Sequence, residues 1–556
     1  MAFSELLQHM GNFGRYQIML AISILSISLL LPIQHLVENF SGAIPAHRCY
    51  VHLLDNITSK SKLPENITME ALLRISIPMG VKNEREQCHR FRQPQWQLLN
   101  YSDLAINTTE LETEACLDGW IYDQSIFTST IVTQWNLVCK SKSLKFWSQA
   151  IYFYGYLLGP PLGGYISDKF GRKPALLASS LLAALLGTGS IFAPTFPIYC
   201  VIRFLLAVSL GTIYSASLSL FVEWMPSNVT AMIITMRALA LSTGQALLGG
   251  LAYFLRDWRM LQLSISVPCF AFFLSIWWTS ESARWLIISG KLDKALKIMR
   301  RVAHINGKKD VEETLNIEVL QSAMREELAL LKRNSKKIKV MESPIVYKTI
   351  FLLCFLRFCA IFLAFGVFFD LKHLGSNVFM SQALLGAVDF PTKFLSFFVI
   401  KFLKRRPSIA SSLFFGGFFI LILIFVPKDM PIIRLGLAML GKGLMAIYFS
   451  TAMIYNHELI PTGLRSRGEG LIIFVSGLGA SLSSLALITR QYFEHLPTIL
   501  YGTSPIVAAI CVYFLPETLN FPLPDTNQDV ERRYKNYKET STNKEETNNL
   551  QDTTEC

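Results

Sequence analysis

Residues 164–173 read GYISDKFGRK and lie between two long apolar runs, 146–166 and 175–194. Over this short stretch the chain places Asp168, Lys169, Arg172 and Lys173, turns at Gly171, and returns to apolar sequence. Two apolar runs joined this way read as a membrane hairpin. The glycine permits a tight reversal, the basic pair anchors one aqueous face, and the aspartate can cap the next helix end or meet an arginine elsewhere. The positive-inside rule alone accounts for the cations, but not for their spacing from Asp168 and Gly171.

Composition agrees with that reading. Of 556 residues, 51% are hydrophobic and 17% charged, against roughly 45–50% and about 25% in soluble domains. Mean hydropathy is +0.37. These values exclude a disordered chain, a nucleic-acid-binding tail protein and a typical soluble enzyme, and they fit a polytopic membrane protein. The net charge of +12 then belongs to loops on one face of the membrane. Apolar runs occur at 16–36, 146–166, 175–194, 198–222, 231–253 and 259–279, and again at 348–369, 378–402, 409–427, 432–456, 470–490 and 497–515. Each set of six is read as one bundle. A weak repeat supports two similar halves, because KFLKRRP (401–407) follows the eighth run where GYISDKFGRK follows the second. The expected fold is an all-α, 12-helix membrane protein of two six-helix bundles, with a central cavity where they meet.

Lysine and arginine bias orients the chain. The basic segments 168–173, 281–345, 401–406 and 465–467 fall on one side if both termini, 1–15 and 516–556, are cytosolic. The polar segment 37–145 is then extracellular. It carries five glycosylation sequons, at Asn39, Asn56, Asn66, Asn100 and Asn107, and four cysteines, Cys49, Cys88, Cys116 and Cys139. Sequons beside cysteines point to an oxidising compartment and disulfides, with three pairings open. Asn228 also starts a sequon but falls on the cytosolic side, so it should stay unmodified. The first run has no small-residue cleavage site and reads as a retained span. Loop 280–347 is expected to hold amphipathic helices at the membrane surface, and the tail to be disordered. No metal-site spacing occurs, and no cofactor is expected.

Further stretches narrow the family. EWMP (223–226, with Glu223) closes the fourth run, and ESARWL (281–286, with Glu281 and Arg284) follows the sixth. ELIPTGLR (458–465, with Glu458 and Arg465) follows the tenth, and LPET (515–518, with Glu517) the twelfth. GYISDKFGRK resembles the loop signature of the major facilitator superfamily. Together with the large loop after the first span, the set resembles the organic ion transporter family of solute carriers, from about residue 1 to residue 530. HRC (47–49), ISIP (75–78), QPQWQLL (93–99), GWIYD (119–123), STIV (129–132), GAVDFPTK (386–393) and PLPD (522–525) are most similar to its organic anion branch. The resemblance implies a plasma-membrane carrier that works by rocking of two halves. Asp168, Arg172, Lys173, Glu223, Glu281, Arg284, Glu458, Arg465 and Glu517 would form its gating charges.

Charges inside the spans support the branch independently. An ionisable group at mid-membrane costs at least ~2.5–3.5 kcal/mol on insertion scales, so each is a functional candidate. The basic groups are Arg203, Arg237, Arg357, Lys393 and Lys442, and the acids are Asp389 and, near an end, Asp370. The balance favours anions. Lys393 matches the lysine that the branch uses for anions; its rival role is a private pair with Asp389, one helical turn earlier. Arg357 and Arg237 are further substrate candidates, whereas Arg203 and Lys442 read as structural. Tyr152, Tyr154, Phe362, Phe365, Tyr448, Phe449 and Tyr455 are candidate aromatic walls, and Phe365 and Phe449 match family positions that face substrate.

The chain also departs from the branch. Gly477 stands where well-studied members carry an arginine, Ala364 and Phe365 where they carry tyrosines, and Lys404 where the signature has glycine. One cationic anchor is missing and the cavity is more apolar, which favours large amphipathic anions such as steroid sulfates, prostaglandins or fatty-acid-like carboxylates. Arg357 or Arg237 could replace the lost charge. The expected partners are these small organic anions, a counter-anion where transport is exchange, and membrane lipid. Nucleic acid is not among them, and one chain is expected to work as a monomer. The competing readings are a carrier of organic cations or zwitterions and a non-transporting membrane protein. The first would want an acid in the eleventh span. An enzyme reading finds no nucleophile–base pair, metal motif or nucleotide motif.

The topology carries its own test. Glycosidase should shift the gel mobility of the wild-type chain, and replacing the five asparagines between residues 37 and 143 should remove that shift entirely. A residual glycan would place Asn228 outside.

Overall fold

The computed structural model describes residues 7, 10, 14–56, 68–80, 84–99, 111–308, 315–318, 320, 322, 344–375, 377–461, 464–519, 524 and 530–532. Asn66, Asn100, Asn107, Cys556, residues 462–463 and most of 311–332 lie outside the described residues. The chain forms two compact units. One comprises Met1–Val37, Ser148–Tyr253 and Gln262–Cys556, and the other Glu38–Trp147 and Phe254–Leu261.

Helices follow the apolar runs, numbered here α1 to α12 in chain order. The first six are Arg15–Leu36, Lys142–Phe170, Arg172–Gly189, Phe196–Trp224, Ser227–Phe254 and Trp258–Trp278. The second six are Pro344–Phe369, the broken pair Val378–Ala387 and Asp389–Phe402 counted together as α8, Arg405–Ile422, Pro431–Leu459, Arg465–Ala486 and Leu496–Cys511. Among the described residues, ten helices are both long and apolar enough to cross a membrane. The other two carry penalties: α2 is diluted by Gly159, Pro160, Pro161, Gly163 and Gly164, and α9 opens on two arginines. An amphipathic helix, Leu292–Ile305, follows α6, as the loop's charge pattern suggests. Its Ala295, Met299, Val302 and Ala303 are buried in the core of the first half.

The expected repeat of the two halves reaches atomic detail at the end that carries the basic segments, called here the basic end. In the first half the Glu281 carboxylate accepts the backbone N–H of Arg172 at 3.0 Å and of Lys173 at 3.1 Å, which caps α3. In the second half the Glu517 carboxylate accepts the N–H of Arg405 at 3.0 Å and of Arg406 at 3.1 Å, which caps α9. A carboxylate suits these sites because a helix N-terminus presents unpaired N–H groups and a partial positive charge. Arg172 meets Glu223 at 3.1 Å and Asp168 at 3.0 Å, and Arg405 faces Glu458 at 3.7 Å. Asp168 therefore pairs within its own half. Burial pushes the Glu281 carboxyl up, against the N–H groups that bind it.

The repeat also explains one departure in sequence. Gly171 turns with φ +114°, and a Cβ there would lie 2.4 Å from Glu281 Oε2. Lys404, at the equivalent turn, is extended at φ −65°, ψ 145°. The second half makes its turn without a left-handed residue, so glycine is not required there.

In the smaller unit two short antiparallel pairs, His47–Cys49 with Trp120–Tyr122 and His89–Phe91 with Thr113–Ala115, form the frame. Cys49 bonds Cys116 and Cys88 bonds Cys139, which selects one of the three pairings. Each bridge closes a loop long enough to stabilise the fold by about 4 kcal/mol through loss of unfolded-chain freedom. A small core of Val51, Leu54, Leu72, Ile75, Ile77, Phe91 and Leu98 sits beside them. Arg90 reaches Glu114 at 2.8 Å and Asp118 at 2.7 Å, and it holds the Asp118 carboxyl below its ordinary range. Asn39 and Asn56 are half-exposed.

Gly171→Ala forces a side chain into a backbone region that costs roughly 1–3 kcal/mol and into the Glu281 carboxylate. It should lower the melting temperature in detergent by several degrees, whereas Lys404→Ala should leave it unchanged. Equal effects would contradict the asymmetry of the two turns.

Candidate functional site between the two halves

The break in α8 at Val388 puts Asp389 at the start of a new helical segment, with Lys393 one turn on. From α10 comes Lys442, between Gly441 and Gly443, where a Cβ would lie 3.0 Å from Ile420 and 2.9 Å from Thr392, so the small neighbours let α9 and α8 approach. Lys442 Nζ lies 2.6 Å from Asp389 Oδ1 and also donates to the Leu385 carbonyl and to Gln245 Oε1. Its ammonium is therefore held by three protein acceptors. The partner of Asp389 is Lys442, not Lys393.

Lys393 is half-buried. Its Nζ donates to Ser242 Oγ at 3.2 Å, and the Ser242 hydroxyl lies 3.1 Å from Asp389 Oδ2. Among the described residues no carboxylate is in direct contact with Lys393. Ser242 belongs to α5, in the first half, so these bonds cross between halves. So do Lys442 to Gln245, Gln382 Nε2 to the Gln245 carbonyl at 3.2 Å, and Ser481 Oγ to the Ala150 carbonyl at 3.1 Å. All lie in mid-span or toward the end opposite the basic clusters. At the basic end, the ion pairs of Arg172 and Arg405 stay within their own halves.

Arg357, on α7, stacks its guanidinium 4.5 Å from the centroid of Phe449. Its buried Nε finds no hydrogen-bond partner among the described residues. Arg237, on α5, stacks over Tyr214 at 4.6 Å and donates from Nη2 to the Tyr214 carbonyl and Ser217 Oγ. Among the described residues its buried Nε and Nη1 find no hydrogen-bond partner. Unmade hydrogen bonds on a buried cation are costly, and an incoming anion would satisfy them. Both terminal nitrogens of Arg203 reach Gln34, and its plane covers Tyr152 at 4.3 Å.

The aromatic candidates divide. Phe365 packs on Phe153 of α2 at 4.9 Å, again across the halves. Phe449 lies beneath Arg357, with Tyr448 adjoining it at 5.4 Å. Phe362 contacts Tyr501 at 5.0 Å and stacks on Phe358, within its own half. Tyr455 donates its hydroxyl to the Pro516 carbonyl. Tyr154 is half-buried with no ring contact among the described residues. Its neighbours Tyr152, Phe153 and Tyr156 gather instead around His35, whose Nδ1 lies 2.8 Å from the Tyr152 hydroxyl. Arg284 lies half-buried in the short helix Ala283–Ile288, and Arg465 donates to the His457 carbonyl.

Gly477 shows why arginine is absent there. A Cβ at this position would lie 2.9 Å from Leu157 Cβ, on α2. Close approach of α11 to α2 excludes a long side chain in this arrangement. At the end of α7 opposite the basic clusters, Asp370 binds Arg490 through both carboxylate oxygens at 2.6 Å, with His373 beside them. Sequence reading missed Ser242 and Gln245. Ser242 is a small polar residue in an apolar run, and Gln245 lies three positions on; that spacing on one helix face was the available signal.

Comparison with known proteins agrees with this architecture. Residues 123–484 match the sequence pattern of the Major Facilitator Superfamily. The chain is 46% identical over 540 residues to human solute carrier family 22 member 10, covering 97% of this chain and 100% of that protein. It is 43% identical over 535 residues to human solute carrier family 22 member 12, covering 96% of each. It is 43% identical over 549 residues to the steroid transmembrane transporter SLC22A24 of Microcebus murinus, covering 99% of each. Its fold resembles that of the xylose transporter XylE from E. coli in an inward open conformation, with TM-score 0.59 and 15% identity over 92% of this chain and 99% of that one.

Removing one member of a buried ion pair costs about 3–5 kcal/mol, and removing both costs far less. Lys442→Met alone should therefore sharply reduce folded protein at the cell surface. The double variant Lys442→Met with Asp389→Asn should recover most of it, as surface biotinylation would show. No recovery would mean that the pair is not the reason both charges are tolerated.

Proposed function

The chain belongs to solute carrier family 22 of the major facilitator superfamily, and on that premise we propose that it carries amphipathic organic anions across the plasma membrane by alternating access. A multi-pass membrane transporter of organic ions, rather than an enzyme, is what membership entails; the anion class is the further step. One observation carries it. Asp389, the acid at mid-span, is neutralised by Lys442, and this leaves Lys393 and Arg357 as cations with no carboxylate in contact among the described residues. A cavity edged by such groups attracts carboxylates and sulfates.

The apolar wall supports a bulky cargo. Phe449 lies under Arg357 with Tyr448 against it, Phe365 meets Phe153 across the halves, and Gly477 removes the extra charge that small dianions would want. Steroid sulfates and long-chain carboxylates combine one negative head with a large apolar body, and they fit this balance. A carrier of organic cations would need an unpaired acid at mid-span. The acid in α11, Glu469, lies in the opening turns at the basic end.

With the basic end cytosolic, the contacts between halves close the outer side. The structure is then an inward-facing state, and rocking would break the bonds of Ser242 and Gln245 to α8 and α10.

Cells expressing the chain should take up labelled estrone sulfate and prostaglandin but not tetraethylammonium. Lys393→Ala should abolish that uptake with surface protein retained, and Arg357→Ala should reduce it at least tenfold, the order of one charge-assisted hydrogen bond. Uptake of the cation, or unchanged anion kinetics in Lys393→Ala, would refute the proposal.

A further inference from the structure

We propose that Ser242 is a positioning residue that makes the anion affinity of Lys393 depend on which way the carrier faces, an inference that rests on the anion reading above. In the present state the Ser242 hydroxyl accepts a hydrogen bond from Lys393 Nζ at 3.2 Å and lies 3.1 Å from Asp389 Oδ2. A hydroxyl has one proton to donate and can accept as well. Its proton goes to the charged carboxylate in preference to the neutral Ala238 carbonyl, also 3.1 Å away. The serine thus links the free ammonium of Lys393 to the carboxylate of Asp389 without an ion pair between them.

The link divides at the boundary between the halves. Ser242 rides on α5, whereas Lys393, Asp389 and Lys442 all ride on the second half. The Lys442–Asp389 pair lies within that half and survives its rotation. The bond from Lys393 to Ser242 does not. When the halves part at the end opposite the basic clusters, Lys393 loses its hydroxyl and presents an unsatisfied ammonium to an anion arriving from that side. When they close again, Ser242 returns and competes with the bound anion for the same proton. The cargo is held tightly while the carrier faces outward and loosened once it faces the cytosol. Tightness on one face and release on the other follow from one shared hydrogen bond, with no movement of Lys393 relative to its own helix.

The measurement uses the full chain in liposomes with labelled estrone sulfate, with half-saturation determined separately on the two faces. Ser242→Ala removes the competitor only in the inward-facing state. Its cytosolic-face half-saturation should fall on the order of tenfold, the worth of one charge-assisted hydrogen bond. The extracellular-face value should stay unchanged, and maximal uptake should fall because release is slower. Ser242→Thr, which keeps the hydroxyl, should restore the wild-type asymmetry. A merely structural serine would alter both faces together or reduce the amount of protein alone, and either result overturns the inference. So does an alanine variant with wild-type constants on both faces. If the wild-type chain moves no estrone sulfate or other anion, the anion reading itself fails and takes this inference with it.

Discussion

A charge within hydrocarbon must find a partner or a use, and in this chain one pair decides how the others are used. Asp389 and Lys442 neutralise each other at 2.6 Å, beside the break in α8. Had Asp389 taken Lys393 instead, the mid-span lysine would be a structural cation. Because Lys442 comes in from α10, Lys393 is left with a serine hydroxyl. Arg357 is left with the face of Phe449 and an unsatisfied Nε. The electrostatic character of the site follows from that choice of partners.

The basic end shows how each half is tied together. Glu281 caps α3 and Glu517 caps α9 by the same pair of backbone bonds. Arg172 and Arg405 then bind the acids at the ends of α4 and α10. These contacts lie inside one half each, so the proposed rocking would leave them intact. The bonds of Ser242 and Gln245 cross the boundary and are few.

Much of the fold was legible in the sequence, because the lipid phase enforces long apolar runs and puts cations at their ends. Twelve runs became α1 to α12, and GYISDKFGRK pointed to the second-half repeat through KFLKRRP. The disulfide pairing was not legible, since spacing alone leaves three choices and only the strand pairing brings Cys49 to Cys116. In the site, Lys393, Arg357, Phe365 and Phe449 stood out as a mid-span charge or aromatic. Ser242 and Gln245 did not, because a lone serine or glutamine in a span is common and its partner lies about 150 residues away for Lys393. Choosing between Lys393 and Lys442 as the mate of Asp389 also needed the structure. Helical spacing favours the first, and the crossing of α8 with α10 delivers the second. Gly477 was visible as a departure, but its cause, the close passage of Leu157, is tertiary.

In the proposed transport cycle Lys393 and Arg357, with no carboxylate in contact among the described residues, hold the negative head of the cargo. The most direct measurement is a density map of the chain with a bound steroid sulfate. The account predicts the sulfate oxygens within hydrogen-bond distance of Lys393 Nζ or the Arg357 guanidinium, with the ring system against Phe365 and Phe449 and the Asp389–Lys442 pair intact. A sulfate seated away from both cations, or an Asp389 that has turned to Lys393, would contradict it.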